Sequence, residues 1–434
     1  MSRRSRSPSA SPPDDLDLRV GRPSSPSDDD GRSFLAPTPP LEDDNLLREI
    51  LVRLPPQPSS LPRASLVRKR WRRLLKDPAF FRRFRAHHRR APLLGFFAGF
   101  CRPIFFTPTL DPPDRIPAGQ LNRFTASGEG RGHFCGCRHG LALLLGPERP
   151  EALVWDPITG HQRRVPFPPG FHIKRQETIV RHAAMLCTAG GDGDGGGDSL
   201  FKLVLLRYSH NGILACLYES ESGVWGNAVN TATPHEIDPL SHSILIGNAL
   251  CWRIDHGAVL EFDTERQSLR MIERPADARR TEQSFFQILP TEDGGLGLAM
   301  SSGRTIQLWE RKSGPDRWVR GNTIDLSQLG LLGPTERTLV VPIGFDEDNN
   351  SIFIRMAHRI VMIQLGSLQS KMLFHDDSRN INNIYPYTGF YAAGNVADED
   401  DDGPEMLNNE MDVHEWSLVT ASMMCPLMRH LPIF

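Results

Sequence analysis

The stretch EALVWDPITGHQRRVPFPP, residues 151–169, decides the fold class. A short apolar run ends on the step Trp155-Asp156, and Asp156-Pro157 with Thr159-Gly160 then makes a bend. Asp bonds its own backbone in such turns, Pro presets φ and Gly reaches positive φ. With LALLLG (141–146) before it, the segment reads as β-strands and a tight turn. Similar units follow at SLFKLVLLRY (199–208) with ILACLYESESGVW (213–225), and at SILIGNALCWRI (243–254) with AVLEFDTERQSLRMI (258–272). Two more stand at LGLAMSSGRTIQLWERKSGPDRWV (296–319) and SIFIRMAHRIVMIQLGSLQSKML (351–373). The apolar–acidic step returns as Tyr218-Glu219, Phe262-Asp263 and Trp309-Glu310, and a further strand closes on Trp225 or Trp318.

These steps recur at roughly 45–65 residues, near the kelch-like period of propeller blades. One small sheet cannot cover both of its faces, so neighbours must stack and the ring must close. Residues 91–394 are therefore expected to form one large all-β, propeller-like domain of about six to eight blades. YPYTGFY (385–391) is its expected last strand. A pair of β-sandwiches is the competing architecture.

Ahead of the strands, residues 41–84 (LEDDNLLREILVRLPPQPSSLPRASLVRKRWRRLLKDPAFFRRF) read as two amphipathic helices around a proline break. Leu47, Ile50, Leu51 and Leu54 share one face at i, i+3, i+4 and i+7. Asp43 and Asp44 are candidate N-caps, and Pro55-Pro56 stops the helix by lacking N–H donors. Ser59 or Ser60 can cap the next helix, with Pro62 in its first turn. Its apolar stripe is Ala64, Val67, Trp71, Leu74 and Leu75. About forty residues bury too little surface to stand alone, so these stripes either pack on the rest of the chain or face another protein.

This stretch resembles an F-box: an initial Leu, an acidic helix start, L-L-x-E-I-L-x-x-L-P, then S-L-V-x-K-x-W and D-P-A-F-F. With HHRRAPLLGFF downstream, it is similar to the large F-box families of grasses, and the strands behind it resemble kelch-like F-box-associated domains. The resemblance implies docking on the Skp-type adaptor of a cullin–RING (SCF) ubiquitin ligase. Carried over by position, Leu41, Leu46, Ile50, Leu51, Leu54, Pro55, Leu66, Val67 and Trp71 would form or support the docking face. Two positions depart from the pattern. Glu42 stands where many F-boxes have Pro, and Arg68 where Cys is usual; a guanidinium in a desolvated contact needs a partner or a route to water.

The resulting fold class is α+β multidomain, a small all-α module (39–90) followed by the propeller-like domain. It is flanked by a Ser/Pro/Arg tail (1–38) and an acidic tail (395–434), both expected to be disordered for want of anything to bury. Ser7, Ser11 and Ser25 precede prolines as candidate phosphorylation sites. With 434 residues and a net charge of −2, the information lies in how charge is distributed. Residues 63–90 are densely basic with Asp77 their only acid, whereas 398–412 carry no Lys or Arg. A basic run can bind nucleic acid, but here the aromatics Trp71, Phe80, Phe81 and Phe84 fall on the apolar face rather than forming a stacking platform. A solvated helix face is the favoured reading. The chain has no apolar run long enough for a membrane span and no secretory leader. Seven scattered cysteines suit a reducing compartment, so an intracellular protein of nucleus or cytoplasm is expected.

Chemistry is sparse. His133, Cys135, Cys137 and His139 alternate and would share one face of a strand, with the right atoms for zinc. A straight strand cannot wrap four ligands round one ion, so they read as strand residues. GGDGDGGGD (190–198) lacks the Asp that a calcium repeat needs at 195 and the Lys-Ser/Thr of a nucleotide loop, and reads as an expanded loop. No catalytic motif and no cofactor site is expected. The expected function is a non-catalytic substrate receptor that holds a target protein by a propeller rim. An adaptor-independent scaffold and a propeller enzyme are the alternatives.

Overall fold

The computed structural model describes residues 43–391 apart from 99–103, 120, 122–131, 147–148, 172–178, 188–199, 210–211, 234, 239–240, 277–284, 313–316, 334–335, 337 and 376–380. Both expected tails, Leu41 and the 190–198 loop lie outside the described residues. The chain divides into two compact units, 1–49 and 50–434.

Four helices come first: α1 (Asp44–Leu51), α2 (Ser60–Ser65), α3 (Lys69–Leu75) and α4 (Pro78–His88). Asp43 caps α1, its Oδ1 accepting from the Asn45 and Leu46 amides at 2.7 and 3.3 Å. Asp77 caps α4 in the same way, accepting from Ala79 N at 2.9 Å, with Pro78 in the first turn. Where the apolar stripe predicts one second helix, the structure has two, α2 and α3. The chain breaks at Leu66–Val67, and Arg68 is extended (φ −152°, ψ 149°) before α3 begins. Two short helices bury Leu61 with Ala64 and Leu74 with Leu75, while Val67 stays exposed in the turn.

The strands form six sheets arranged as a six-bladed β-propeller. Blade one is β3 (His133–Arg138), β4 (Leu141–Leu145), β5 (Glu151–Trp155) and β6 (Gln162–Pro166). Blade two runs β7 (Ile179–Cys187), β8 (Phe201–Ser209), β9 (Gly212–Glu219) and β10 (Val224–Trp225), with β11 (Val229–Thr231) also on β9. Blade three is β12 (Ile244–Ile246), β13 (Ala249–Arg253), β14 (Val259–Asp263) and β15 (Ser268–Ile272). Blade four is β16 (Phe286–Pro290), β17 (Leu296–Ser302), β18 (Thr305–Arg311) and β19 (Trp318–Asp325). Blade five is β20 (Val340–Asp346), β21 (Ser351–Met356), β22 (Arg359–Gln364) and β23 (Ser370–His375). The sixth sheet is mixed in origin, in the order β2 (Phe105–Pro108), β1 (Leu93–Ala98), β24 (Ile384–Thr388).

That sixth sheet closes the ring. Its inner strand comes from the far end of the β region and its outer two from the start, with Gly95 opposite Tyr387 and Phe97 opposite Tyr385. Inner strands pack side by side, β24 returning to β3. Phe97 is the hub, with ring centroids 5.2 Å from Phe106, 5.3 Å from Phe134, 6.0 Å from Trp155 and 5.6 Å from Tyr387. The Tyr387 hydroxyl donates to Gly140 O at 3.1 Å, tying blade six to blade one. Gly95 is required here, because a Cβ would collide with the Thr107 carbonyl and the Phe106 ring.

The four apolar–acidic steps lie at or beside the end of the third strand of blades one to four. Asp156 takes the Ile158 and Thr159 amides at 2.9 and 3.3 Å, and Asp263 takes those of Glu265 and Arg266 at 3.0 and 2.9 Å. No helix among the described residues is long and apolar enough to cross a membrane.

Candidate functional site

The first candidate surface lies on the helices. Ten large hydrophobic side chains are markedly exposed among the described residues, and four of them are Leu46 (48 %), Ile50 (44 %), Leu66 (74 %) and Val67 (58 %). All four fall at positions the F-box resemblance assigned to the docking face. The expected stripe on α1 is modified. Leu47 and Leu51 are buried (0 and 1 %), whereas Ile50 is exposed. Leu54 and Trp71 are half-buried and Pro55 is exposed. Arg68 is exposed, so its guanidinium keeps its water in this chain.

Helices α2–α4 pack against one end of the ring. Ser59 N donates to Asp114 Oδ1 at 3.1 Å, in the connection between β2 and β3. Phe84 meets Phe390, just beyond β24, at 5.9 Å in an edge-on contact. His88 Nε2 lies 3.0 Å from Val52 O. The Arg85 charge is felt by His139 in the β3–β4 turn and by Cys187 at the end of β7. This is the end at which β3, β7 and β24 finish.

The second candidate is the mouth of the axial channel at that end, a cleft of about 590 Å³ (open solvent included) lined by β3, β7, β12, β20 and β24. Arg138 spans it. Its guanidinium grips Glu347 with two bonds (Nη2–Oε1 2.6 Å, Nε–Oε2 3.0 Å). It also donates to Met185 O at 2.8 Å and Ser243 O at 3.2 Å, and Glu347 Oε1 takes the Leu245 amide at 2.8 Å. One ion pair therefore stitches blades one, two, three and five. Burial opposes the Arg138 charge, but the Glu347 carboxylate outweighs it and holds the group above its ordinary range.

Around the pair, burial pushes Asp346 up to about 6 although Asn349 bonds its carboxylate at 2.7 Å. Burial, aided by the Arg253 charge, lowers His242 to about 4. His242 Nδ1 sits 3.1 Å from Asn383 Oδ1, an arrangement that suits a neutral ring donating from Nδ1. The sequence reading passed over both Arg138 and Glu347. An Arg closing the run HFCGCR, just before the His139-Gly140 turn, was the signal available.

The four residues weighed for zinc do not converge. A bulge between Phe134 and Gly136 breaks the alternation of β3, and His139 stands exposed in the turn at φ 52°. Burial drives the Cys135 thiol up to about 12, far from the thiolate that binds metal. Among the described residues no three His, Cys, Asp or Glu side chains come together as a metal site.

No family model matches the chain, and no curated protein matches it. Solved structures do. A chain of the Mitotic Checkpoint Complex is 13 % identical with a TM-score of 0.31, over 55 % of this chain and 61 % of that one. The Dos1 propeller is 11 % identical with a TM-score of 0.31, over 55 % of this chain and 58 % of that one. The extracellular domain of a putative hybrid two component system from B. thetaiotaomicron is 13 % identical with a TM-score of 0.30, over 56 % of this chain and 28 % of that one. The chain thus spans less than two thirds of each of these structures. The propeller itself rests on the strand order and ring closure described above.

Proposed function

We propose that this chain is the substrate-recognition subunit of an SCF-type ubiquitin ligase, its helices docking on a Skp-type adaptor and its propeller holding a target protein. The observation that carries the reading is the exposure of Leu46, Ile50, Leu66 and Val67. A chain that buries Leu47, Leu51, Leu61, Leu74 and Leu75 nearby leaves large side chains in water at the positions the F-box pattern reserves for the adaptor. Burying such side chains on a partner contributes about 1.5–3 kcal/mol each before the losses of association. The chain itself supplies no reacting group in this reading. It acts by proximity, holding a target lysine near a charged conjugating enzyme that the cullin–RING assembly brings.

The helices occupy the end of the ring where inner strands finish, so the target is assigned to the opposite rim. Phe285 (38 % exposed) and Leu339 (53 %) stand there, immediately before β16 and β20. Co-purification with a Skp-type adaptor tests the reading. Wild type should capture it, and Ile50→Asp and Val67→Asp should each lower capture by about 30-fold or more, as loss of a hot-spot contact does. Wild type that captures no adaptor while Arg68→Cys does would favour an adaptor-independent scaffold instead. No capture by any of them would end the ligase reading.

A further inference from the structure

The outer faces of α3 and α4 carry more positive charge than the described chain answers. Between residues 68 and 90, ten Arg and Lys side chains are exposed, and Asp77 is the one acid and already serves as a helix cap. Arg68, Lys69, Arg72, Arg73, Arg82 and Arg89 make no ion pair among the described residues. Like charges three or four positions apart on a helix have Cβ atoms about 5–6 Å apart and repel one another. A surface of this kind gains from an anionic occupant.

The chain itself carries one. The chain leaves β24 beside α4, where Phe390 packs on Phe84, the residue whose helix bears the arginines. The described residues end at Tyr391, and Asp398 opens the run DEDDD seven residues later. Residues 398–412 hold eight carboxylates and not one Lys or Arg. Seven residues reach at most about 25 Å, more than the length of α4 at about 1.5 Å per residue. A tether so short sets an effective concentration in the millimolar range, enough for a weak polyvalent charge contact to persist.

We propose that the acidic segment 398–412 docks on the basic ridge of α3–α4 in the same molecule, and thereby withholds that ridge from other polyanions. The contact is electrostatic and many-handed rather than a fixed set of pairs, so it loosens as salt rises. It needs no adaptor and is independent of the function proposed above.

Zero-length carbodiimide coupling on the monomeric full chain tests it. The reagent activates a carboxylate, and a lysine amine that touches it displaces the leaving group to form an amide. The ridge offers Lys69 and Lys76, and the four other lysines are Lys174, Lys202, Lys312 and Lys371. At 50 mM salt, links from 398–405 to Lys69 or Lys76 within one chain are expected, and these should vanish at 0.5 M salt. Absence of such links, links only to the other lysines, or links only between two chains would overturn the proposal.

A second measurement reads the same contact from the ridge. Neutralising the run (Asp398→Asn, Glu399→Gln, Asp400→Asn, Asp401→Asn and Asp402→Asn) should tighten binding of a fluorescent oligo-dT probe about tenfold at 50 mM salt. Equal binding by the two proteins would refute it, and tight binding already in wild type would mark the ridge as a nucleic-acid surface instead.

Discussion

The Arg138–Glu347 pair gives the sharpest stability prediction. Arg138 is a strut across the axial mouth with a side chain only 9 % exposed, and Glu347 is 23 % exposed. Replacing Arg138 with Met removes both bonds to Glu347 and the donors to Met185 O and Ser243 O. A half-buried carboxylate is left with the Leu245 amide as its remaining bond of those given above. Breaking a buried pair on one side costs about 3–5 kcal/mol, because the surviving charge is stranded. Glu347→Gln should cost about 2–4 kcal/mol, since the amide oxygen still accepts while the guanidinium loses its counter-charge. The double variant should cost scarcely more than Arg138→Met, an interaction energy of about 1.5–3 kcal/mol. Urea denaturation, comparing midpoints at an unchanged slope, measures all four corners. Single costs below about 1 kcal/mol, or costs that add within about 0.5 kcal/mol, would refute the view that one pair couples four blades.

Acid stability should depend on two neighbours of that pair with opposite signs. His242 is lowered to about 4 from 6.5, so the stability it carries is complete above pH 6.5 and lost as pH falls through 4; Asp346, raised to about 6 from 3.8, carries stability present below 3.8 and lost as pH rises through 6. Asp346→Asn should therefore steepen the fall in Tm between pH 6.5 and 4, and His242→Leu should flatten it; curves parallel to wild type would dismiss both assignments. Gly95→Ala should destabilise by about 2–3 kcal/mol, the usual cost of overpacking, read as a lower urea midpoint. Leu51→Ala should cost about 2–5 kcal/mol in stability. Ile50→Ala should cost about 0.5 kcal/mol or less while lowering adaptor capture, so chemical denaturation and pull-down ought to rank the two in opposite order.

The second to fourth strands of most blades were legible because each meets a turn whose residues have a mechanism: Asp156 and Asp263 close Asx turns that sequence alone foretells. Three inner strands, β7, β16 and β20, were not. β16 and β20 are buried along nearly their whole length, so they show no alternation, and all three lie outside the apolar units that the turn residues punctuate. Blade closure was hidden for another reason. Pairing of β1 with β24 joins residues almost the full length of the domain apart, and no local pattern encodes a partner at that distance. On the helices the periodicity of α1 put Leu47, Ile50 and Leu51 on one apolar face, whereas the structure buries Leu47 and Leu51 and leaves Ile50 exposed. Leu46 and Ile50 are each exposed while Leu47 and Leu51 are buried, and only burial distinguishes these apolar residues.

How the helices join the ring bears on what the proposed receptor could do. Proximity accelerates a reaction only when the two partners are held in a defined relation, and a flexible joint would spread the target over many positions. Here the joint is short: α4 ends at His88, and Leu93 opens β1. It is braced on both sides by the Ser59–Asp114 bond and the Phe84–Phe390 contact. Within it Arg89 is held at φ 57°, a conformation that a side chain disfavours by about 1–2 kcal/mol. Arg89→Gly relieves that strain but frees the unfolded chain, so stability should change by less than about 1 kcal/mol in either direction. Phe84→Ala removes the brace and should cost about 3–5 kcal/mol, most of it from a side chain 1 % exposed. A rigid joint predicts that limited proteolysis cuts at 89–92 slowly in wild type and Arg89→Gly, and fast in Phe84→Ala. Rapid cleavage of the wild-type joint would mean that the helices swing freely, and placement by proximity would then lose its physical basis.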